Sequence, residues 1–262
     1  MMVNRFNRRE IRQIQEILLN SWPAKHYYFL NGWILRFTDG VTARANSVIP
    51  LNYTGDDKTV DKDIDFVEKA YKAHNISPIF TIHDFFEPHY LEHRLLERGY
   101  YQLGPTTHTM ASLIVNLKNE SLNEDFGYYF QKERTNEISE FLAKYSKRDN
   151  KEQKVLVELS NRIIIPQKIF VVARENNNII GTLMGILVPQ GFLYISDVLV
   201  HPNFRKKKIA TTLFFKVIKD WGVLNGAYLI WLQVEIDNDK AIRLYKKLGL
   251  VVVYNYYYLT KG

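Results

Sequence analysis

The stretch Tyr194-Ile-Ser-Asp-Val-Leu-Val-His-Pro-Asn-Phe-Arg-Lys-Lys-Lys-Ile-Ala210 contains a change of period. Tyr194 to Val200 reads as a strand and Pro202 ends it. Arg205 to Ala210 then leads into an amphipathic helix carrying Leu213, Phe214, Val217, Ile218 and Trp221. A strand that passes into a helix through a short loop leaves the first helical amides without internal partners, at the positive end of the helix dipole. Such amides cradle a phosphate, and Arg205, Lys206, Lys207 and Lys208 surround them with positive charge. Taken alone, a run this short equally fits a solvated charge cluster or a nucleic-acid patch. Its position between an apolar strand and a helix start favours the phosphate.

A second pattern follows. Leu232, Val234 and Ile236 alternate with Gln233 and Glu235, a strand with one apolar and one polar face. A helix then opens near Asn238 and reads Asn238-x-x-Ala241-x-x-Leu244-Tyr245-x-x-Leu248-Gly249-Leu250. Ala241, Leu244 and Leu248 share one helical face suited to packing on a sheet, and Gly249 permits the C-terminal stop. On this helix alone, Asn238 fits an N-cap and Tyr245 an ordinary partly buried aromatic.

Together the two patterns resemble the GNAT superfamily of N-acyltransferases. Val200-His-Pro-Asn-Phe-Arg205-x-x-Lys208-x-Ala210 is similar to the family's acyl-CoA loop, usually R-x-x-G-x-G/A, with Lys208 where the first glycine is expected. The segment from Asn238 to Leu250 is similar to N-x-x-A-x-x-L-Y-x-x-L-G-F and departs only at Leu250. A lysine is disfavoured if this position needs a positive φ but harmless in a right-handed helical start, so the departure from glycine is read as tolerable.

The resemblance implies an α/β (α+β) fold of two tandem GNAT-like units, each a mostly antiparallel mixed sheet flanked by helices. It implies acetyl-CoA as acyl donor and a small-molecule or peptide amine as acceptor, attacking the thioester directly, with no metal. By the same resemblance, Val198, Leu199 and Val200 pair with pantetheine like an added strand. The loop Arg205, Lys206, Lys207, Lys208, Ile209 and Ala210 holds the pyrophosphate, Asn238 contacts the pantetheine arm, and Tyr245 protonates the departing thiolate. A lysine-like amine titrates near roughly 10, so its proton must be removed before attack. Glu235 and Asp197 are the candidate bases, Glu235 first. Two other readings stand beside this one: a catalytically idle CoA-binding or regulatory module, which Lys208 keeps open, and a basic nucleic-acid-binding protein using Arg205 to Lys208.

Composition is compatible with all three. The 262 residues are 46% hydrophobic and 24% charged, the balance of a folded protein large enough for two modest domains. The net charge of +7 suits nucleic acid, an anionic surface or a phosphate-bearing cofactor without choosing between them. No cysteine occurs, which removes disulfides, cysteine zinc sites and a cysteine acyl-enzyme. Met1 to Glu10 is polar and basic, and no stretch is apolar enough to span a bilayer, so a cytoplasmic protein without a membrane partner is expected.

Along the chain, helical spacing covers 8–20 and about 60–74, and 88–98 opens on a proline and ends at Gly99. Gly32–Phe37 and Val41–Val48 read as strands joined at Asp39-Gly40, with further strands at 78–83 and about 100–117. The polar run 118–125 marks a boundary between a degenerate N-terminal domain, 1–117, and an acetyltransferase domain, 118–262. Helices are then expected at 135–147, 150–162, 203–222 and 238–248, with strands at 168–175, 179–188, 192–200, 227–235 and 251–259. Val48-Ile-Pro50 and Arg98-Gly-Tyr100 echo Val200-His-Pro202 and Leu248-Gly-Leu250 at similar separation, which suggests a degenerate duplication. The first half carries no basic loop; Asp56 and Asp57 stand there instead and would repel a pyrophosphate.

Three more patterns stand out. His89-x-x-Glu92-His93 has the spacing of a zinc-peptidase helix, though a distant third ligand is not evident. Arg36, Arg44 and Asn46 read either as exposed strand residues or as residues shaping an acceptor pocket. Tyr254, Tyr256 and Tyr258 alternate along the last strand and read as sheet packing.

Overall fold

The computed structural model describes residues 8–146 and 149–262. Met1 to Asn7 and the last residue of the expected 135–147 helix lie outside them. In chain order the elements are α1 (Arg8–Ser21), β1 (His26–Leu30), β2 (Trp33–Phe37), β3 (Ile49–Pro50), α2 (Val60–Ala73), β4 (Ile79–His83), α3 (Leu91–Glu97) and β5 (Tyr101–Leu113). They continue as β6 (Gly127–Gln131), α4 (Asn136–Tyr145), α5 (Asn150–Asn161), β7 (Lys168–Glu175), β8 (Asn178–Leu187), β9 (Phe192–Val200), α6 (Ile209–Lys216), β10 (Leu229–Glu235), α7 (Asp239–Leu248) and β11 (Val251–Thr260). Among the described residues, no helix is long and apolar enough to cross a membrane.

The chain forms two compact units that interleave along the sequence. One gathers Met1–Ser21, Thr109–Val234 and Asn238–Val253; the other gathers Trp22–His108, Glu235–Asp237 and Tyr254–Gly262.

In the first unit, β6, β7, β8 and β9 form an antiparallel ladder and β10 joins β9 in parallel. One face of this sheet carries Val171, Leu183, Leu193, Ile195, Ile230, Leu232 and Val234, buried against Ile209, Leu213 and Phe214 of α6 and Ile242, Tyr245 and Leu248 of α7. Alternation along β9 and β10 sends Tyr194, Ser196, Trp231 and Gln233 to the opposite face. The helix expected at 203–222 is broken up: a 3₁₀ turn at Pro202–Phe204 precedes α6, and a π-helical stretch, Val217–Gly222, follows it. Strand β6 lies outside the sequence expectation, although Gly127-Tyr-Tyr-Phe130 has the aromatic content of a strand.

Helix α6 sits close to the sheet because β8 has no side chain where the helix crosses it. A Cβ on Gly181 would stand 2.9 Å from Ile209 Cγ2, and one on Gly185 would stand 2.8 Å from Val217 Cγ2. Both obstructing groups are β-branched and stiff at χ1, so neither can swing away cheaply.

The second unit pairs β1 with β2 and β2 with β3, all antiparallel. The hairpin expected between 32–37 and 41–48 is not the one formed. β2 pairs instead with His26–Leu30 through the Asn31-Gly32 turn, and Asp39-Gly40 leads into a 3₁₀ turn at Ala43–Ala45. Asn46 decides this: its side-chain oxygen accepts from the Thr38 and Gly40 amides while its amide group donates to the Val41 and Thr42 carbonyls. The segment is thereby folded onto itself and cannot extend. Strand β4 pairs with the end of β11, Tyr256 opposite His83 and Tyr258 opposite Thr81. Trp33, Leu35, Ile64, Val67, Phe80, Leu91 and Leu95 form the core.

Replacing Gly181 with valine inserts a branched side chain into the seat of α6 and should cost about 1–3 kcal/mol in urea unfolding. An unchanged midpoint would mean that the helix does not depend on this approach.

Candidate active site

β9 and β10 pair at Phe192↔Leu229, Leu193↔Ile230 and Tyr194↔Trp231, and among the described residues they pair no further. The rings of the last pair stack at 4.3 Å. On its other side, β9 stays bonded to β8 as far as Val200↔Gly181, so its second half is ordered while one edge carries no strand. Ser196 to Val200 are accordingly part-exposed, whereas Phe192 to Ile195 are buried.

A β-bulge reshapes this half. Between Ser196↔Met184 and Leu199↔Thr182, two β9 residues, Asp197 and Val198, oppose Leu183 alone. Asp197 takes a left-handed φ of 50°, and its carboxylate lies 3.6 Å from Arg134, with the two side chains 11% and 5% exposed. The expected interruption of the strand at Asp197 is thus a bulge, and its carboxylate is committed to an arginine that the sequence pattern did not single out.

The basic loop continues from β9. The His201 amide donates to the Ile180 carbonyl at 2.9 Å, and Arg205 Nε donates to the Val200 carbonyl at 3.4 Å. Lys206 and Lys208 have φ of 64° and 57°. Of the two conformations weighed for Lys208, the one that disfavours a side chain is present: the residue is left-handed and flanks the first turn of α6. Turning a 3₁₀ segment into α6 within four residues requires this alternation, and successive amides in such alternating conformations form an anion-binding concavity. Arg205 N–H is used by Pro202 and Thr212 N–H by Lys208 C=O, while the amides from Lys206 to Ala210 donate to no backbone group among the described residues. None of the four cationic side chains has a carboxylate in ion-pair range among the described residues.

The loop is braced from behind. Asn123 donates to the Lys207 carbonyl at 3.1 Å, and its own amide donates to Thr212 Oγ1 at 2.9 Å. Lys208 Nζ bonds Ser121, and Lys207 Nζ lies 4.8 Å from the Phe204 ring centre. Arg205 and Lys206 are exposed. The polar run 118–125, read in the sequence as a boundary, thus supplies the buttress of the loop.

Asn238 caps α7 by accepting from the Ala241 amide at 3.3 Å, and Gly249, at φ 102°, closes its C-terminus. Tyr245 is 7% exposed within the apolar core, its ring 6.4 Å from Phe214. Burial pushes its hydroxyl up to about 12, so it holds its proton at neutral pH. Glu235 ends β10 and is exposed. On the sheet face away from Tyr245, Ser196 Oγ, Trp231 Nε1 and both polar atoms of Gln233 are buried without partners among the described residues. Unused donors and acceptors beside an open strand edge and a cradle of amides unused by the backbone suit a ligand with amide groups at one end and phosphates at the other. Of the orphaned groups, the alternation of Gln233 and Glu235 was visible in the sequence. Ser196 and Trp231 carried no signal, because only the parting of β9 from β10 makes them noteworthy.

Residues 121–250 match the family model described as Acetyltransferase (GNAT) family. The chain carries a GNAT acetyltransferase domain. A second model, Probable histone acetyltransferase Rv0428c C-terminal, matches residues 9–95. The chain is 27% identical over 257 residues to the uncharacterized N-acetyltransferase YobR of Bacillus subtilis, covering 96% of this chain and 99% of that protein. In fold it is similar to a GCN5-related N-acetyltransferase from Kribbella flavida, with a TM-score of 0.68 at 15% identity over 96% of this chain and 94% of that one. A tandem GNAT protein from the clavulanic acid biosynthesis pathway gives a TM-score of 0.64 at 10% identity, over 82% and 74% of the two chains. The basic loop, Asn238 and Tyr245 all fall inside the matched GNAT domain.

The inverted zinc-peptidase pattern is not assembled on one helix. His89 precedes α3, Glu92 accepts from Tyr257, and His93 lies 3.5 Å from Glu97.

Lys208 keeps a left-handed backbone that a side chain makes costly. Lys208→Gly should stabilise the protein by about 1 kcal/mol, read as a higher denaturant midpoint with unchanged slope. A lower midpoint would show that the lysine bond to Ser121 outweighs the strain.

Proposed function

We propose that the protein, an acetyltransferase of the GNAT family, takes its acetyl group from acetyl-CoA and passes it to a primary amine, of a small molecule or a peptide, by direct attack. The observation that carries this reading is the run of amides from Lys206 to Ala210, unused by the backbone, next to the unpaired edge of β9.

In this reading, Arg205, Lys206, Lys207, Lys208, Ile209 and Ala210 hold the pyrophosphate, mainly through backbone amides and with the cationic side chains as counter-charge. Val198, Leu199 and Val200 offer N–H and C=O groups to pantetheine, and Asn238 adds a side-chain contact. When bound, acetyl-CoA supplies a thioester whose carbonyl carbon accepts a nitrogen lone pair and whose sulfur leaves as thiolate. Tyr245 then donates its phenolic proton to that sulfur, a role suited to a hydroxyl that burial keeps protonated up to about 12.

The incoming ammonium must first lose a proton. Glu235, exposed at the end of β10, is proposed to accept it, directly or through water. Asp197 is a weaker candidate because Arg134 already occupies its carboxylate; its part is to hold the bulge and with it the register of Val198 to Val200. We further propose that 118–262 is the catalytic part and 1–117 a degenerate GNAT-like partner that binds no CoA.

The test is release of free CoA thiol from acetyl-CoA with a panel of primary amines. The chain has no cysteine, so a thiol reagent reads only the product. Tyr245→Phe should lower kcat by about 10²-fold or more while leaving the KM for acetyl-CoA within about twofold. Unchanged kcat would remove Tyr245 from the proton transfer. No thiol release from the wild type with any amine would contradict the primary-amine reading.

A further inference from the structure

The second compact unit buries an arginine that has no counter-ion among the described residues. Arg36, on β2, is 1% exposed. Its Nε donates to the Ser47 carbonyl at 3.3 Å and its Nη2 to Ser47 Oγ at 3.0 Å; Nη1 has no partner among the described residues. Both of these acceptors are neutral. The tyrosines around it, Tyr71 and Tyr258, are both held above the ordinary tyrosine range by burial, so neither ionises near neutral pH to balance the charge. A guanidinium does not shed its proton, and burying one unpaired is costly. Arg98 in the same unit shows the usual solution: Asp61 at 3.4 Å, Glu68 at 3.7 Å and Asp65 surround it near the surface.

The surroundings of Arg36 add donors rather than acceptors. Thr81 Oγ1 bonds Ser47 Oγ at 2.9 Å and so belongs to the Arg36 network. Thr81 and His83 lie on one face of β4, opposite Tyr258 and Tyr256 of β11. His83 Nδ1 accepts from the Phe85 amide at 3.1 Å, and burial pushes the ring down to about 4. The neutral ring therefore carries its hydrogen on Nε2, which is buried without a partner. Tyr256 accepts from Arg44 Nη2 at 3.2 Å, and the Arg44 guanidinium lies 5.2 Å from the Trp22 ring centre. Trp22 Nε1 is a third buried donor without an acceptor among the described residues. Arg44 and Tyr258 are part-exposed.

We infer that this cluster is an oxyanion-binding site, in which Arg36 Nη1, supported by the N–H groups of His83 and Trp22, takes the carboxylate or phosphate group of a small ligand. A negative group that only accepts hydrogen bonds is the complement of a buried cation among unused donors. The site is built from residues of the second compact unit only, and its test involves no turnover.

The host for the test is the full chain carrying Arg205→Ala, Lys206→Ala and Lys207→Ala, which weakens anion binding at the loop by removing its counter-charge, so that the Arg36 and Trp22 substitutions below report on the second unit. Its unfolding midpoint is followed as sodium chloride is replaced, at constant ionic strength, by sodium acetate in one arm and sodium phosphate in the other. A saturable rise of about 2 °C or more in either arm is expected, and the arm that gives it identifies a carboxylate or a phosphate ligand. Arg36→Met in this host, which keeps the volume and removes the charge, should abolish the rise. Trp22→Phe leaves Arg36 in place, so it decides the matter if the methionine variant does not fold; it should weaken the calorimetric affinity about fivefold. A midpoint insensitive to both anions, or a rise or affinity unaltered by these substitutions, would overturn the proposal.

Discussion

The stacked pair Tyr194 and Trp231 marks the point at which two parallel strands stop sharing hydrogen bonds. Everything proposed for the active site depends on that parting. Had β10 stayed paired with β9 to its end, the amides and carbonyls of Val198 to Val200 would be spent within the sheet. Because β8 holds β9 from the other side as far as Val200, the open edge is held in place rather than fraying. The bulge at Asp197, pinned by Arg134, sets which groups of that edge are presented. An exposed edge is ordinarily a liability for a protein; here it is short and ends in a cationic loop, a combination suited to an extended ligand with phosphates at one end.

The loop depends in turn on the depth at which α6 is seated. Gly181 and Gly185 let the helix lie against β8, which fixes where its first amides emerge. The left-handed lysines then turn those amides to one side, and Asn123 and Thr212 hold the turn from behind. Local strain at Lys208 is tolerated because these surrounding contacts over-determine the conformation.

Much of this was legible in the sequence. The Asn238 to Gly249 helix could be read residue by residue, since a cap, a helical face and a glycine stop are local features. The strand and basic loop were legible for the same reason. The conformation of Lys208 was not, because it answers to the geometry joining a 3₁₀ turn to α6 rather than to the lysine itself. The Asp39-Gly40 turn misled because Asn46, six or more residues away from the amides it binds, captures the segment before it can form a strand. Arg36 and Asn46 are both buried, not exposed strand residues, and alternation in a short strand could not distinguish a buried polar layer from a solvated one. The ion pair of Arg134 with Asp197 joins positions far apart in sequence and left no pattern to read.

Hydrogen–deuterium exchange of the full chain, with and without acetyl-CoA, tests the central claim most directly, because it reports on individual backbone amides. The account predicts slower exchange on binding at Val198 to Val200 and at Lys206 to Ala210, with little change along the part of β9 already paired to β10. Protection that leaves both segments untouched would contradict the account, since the ligand would then be held neither by the open edge nor by the cradle.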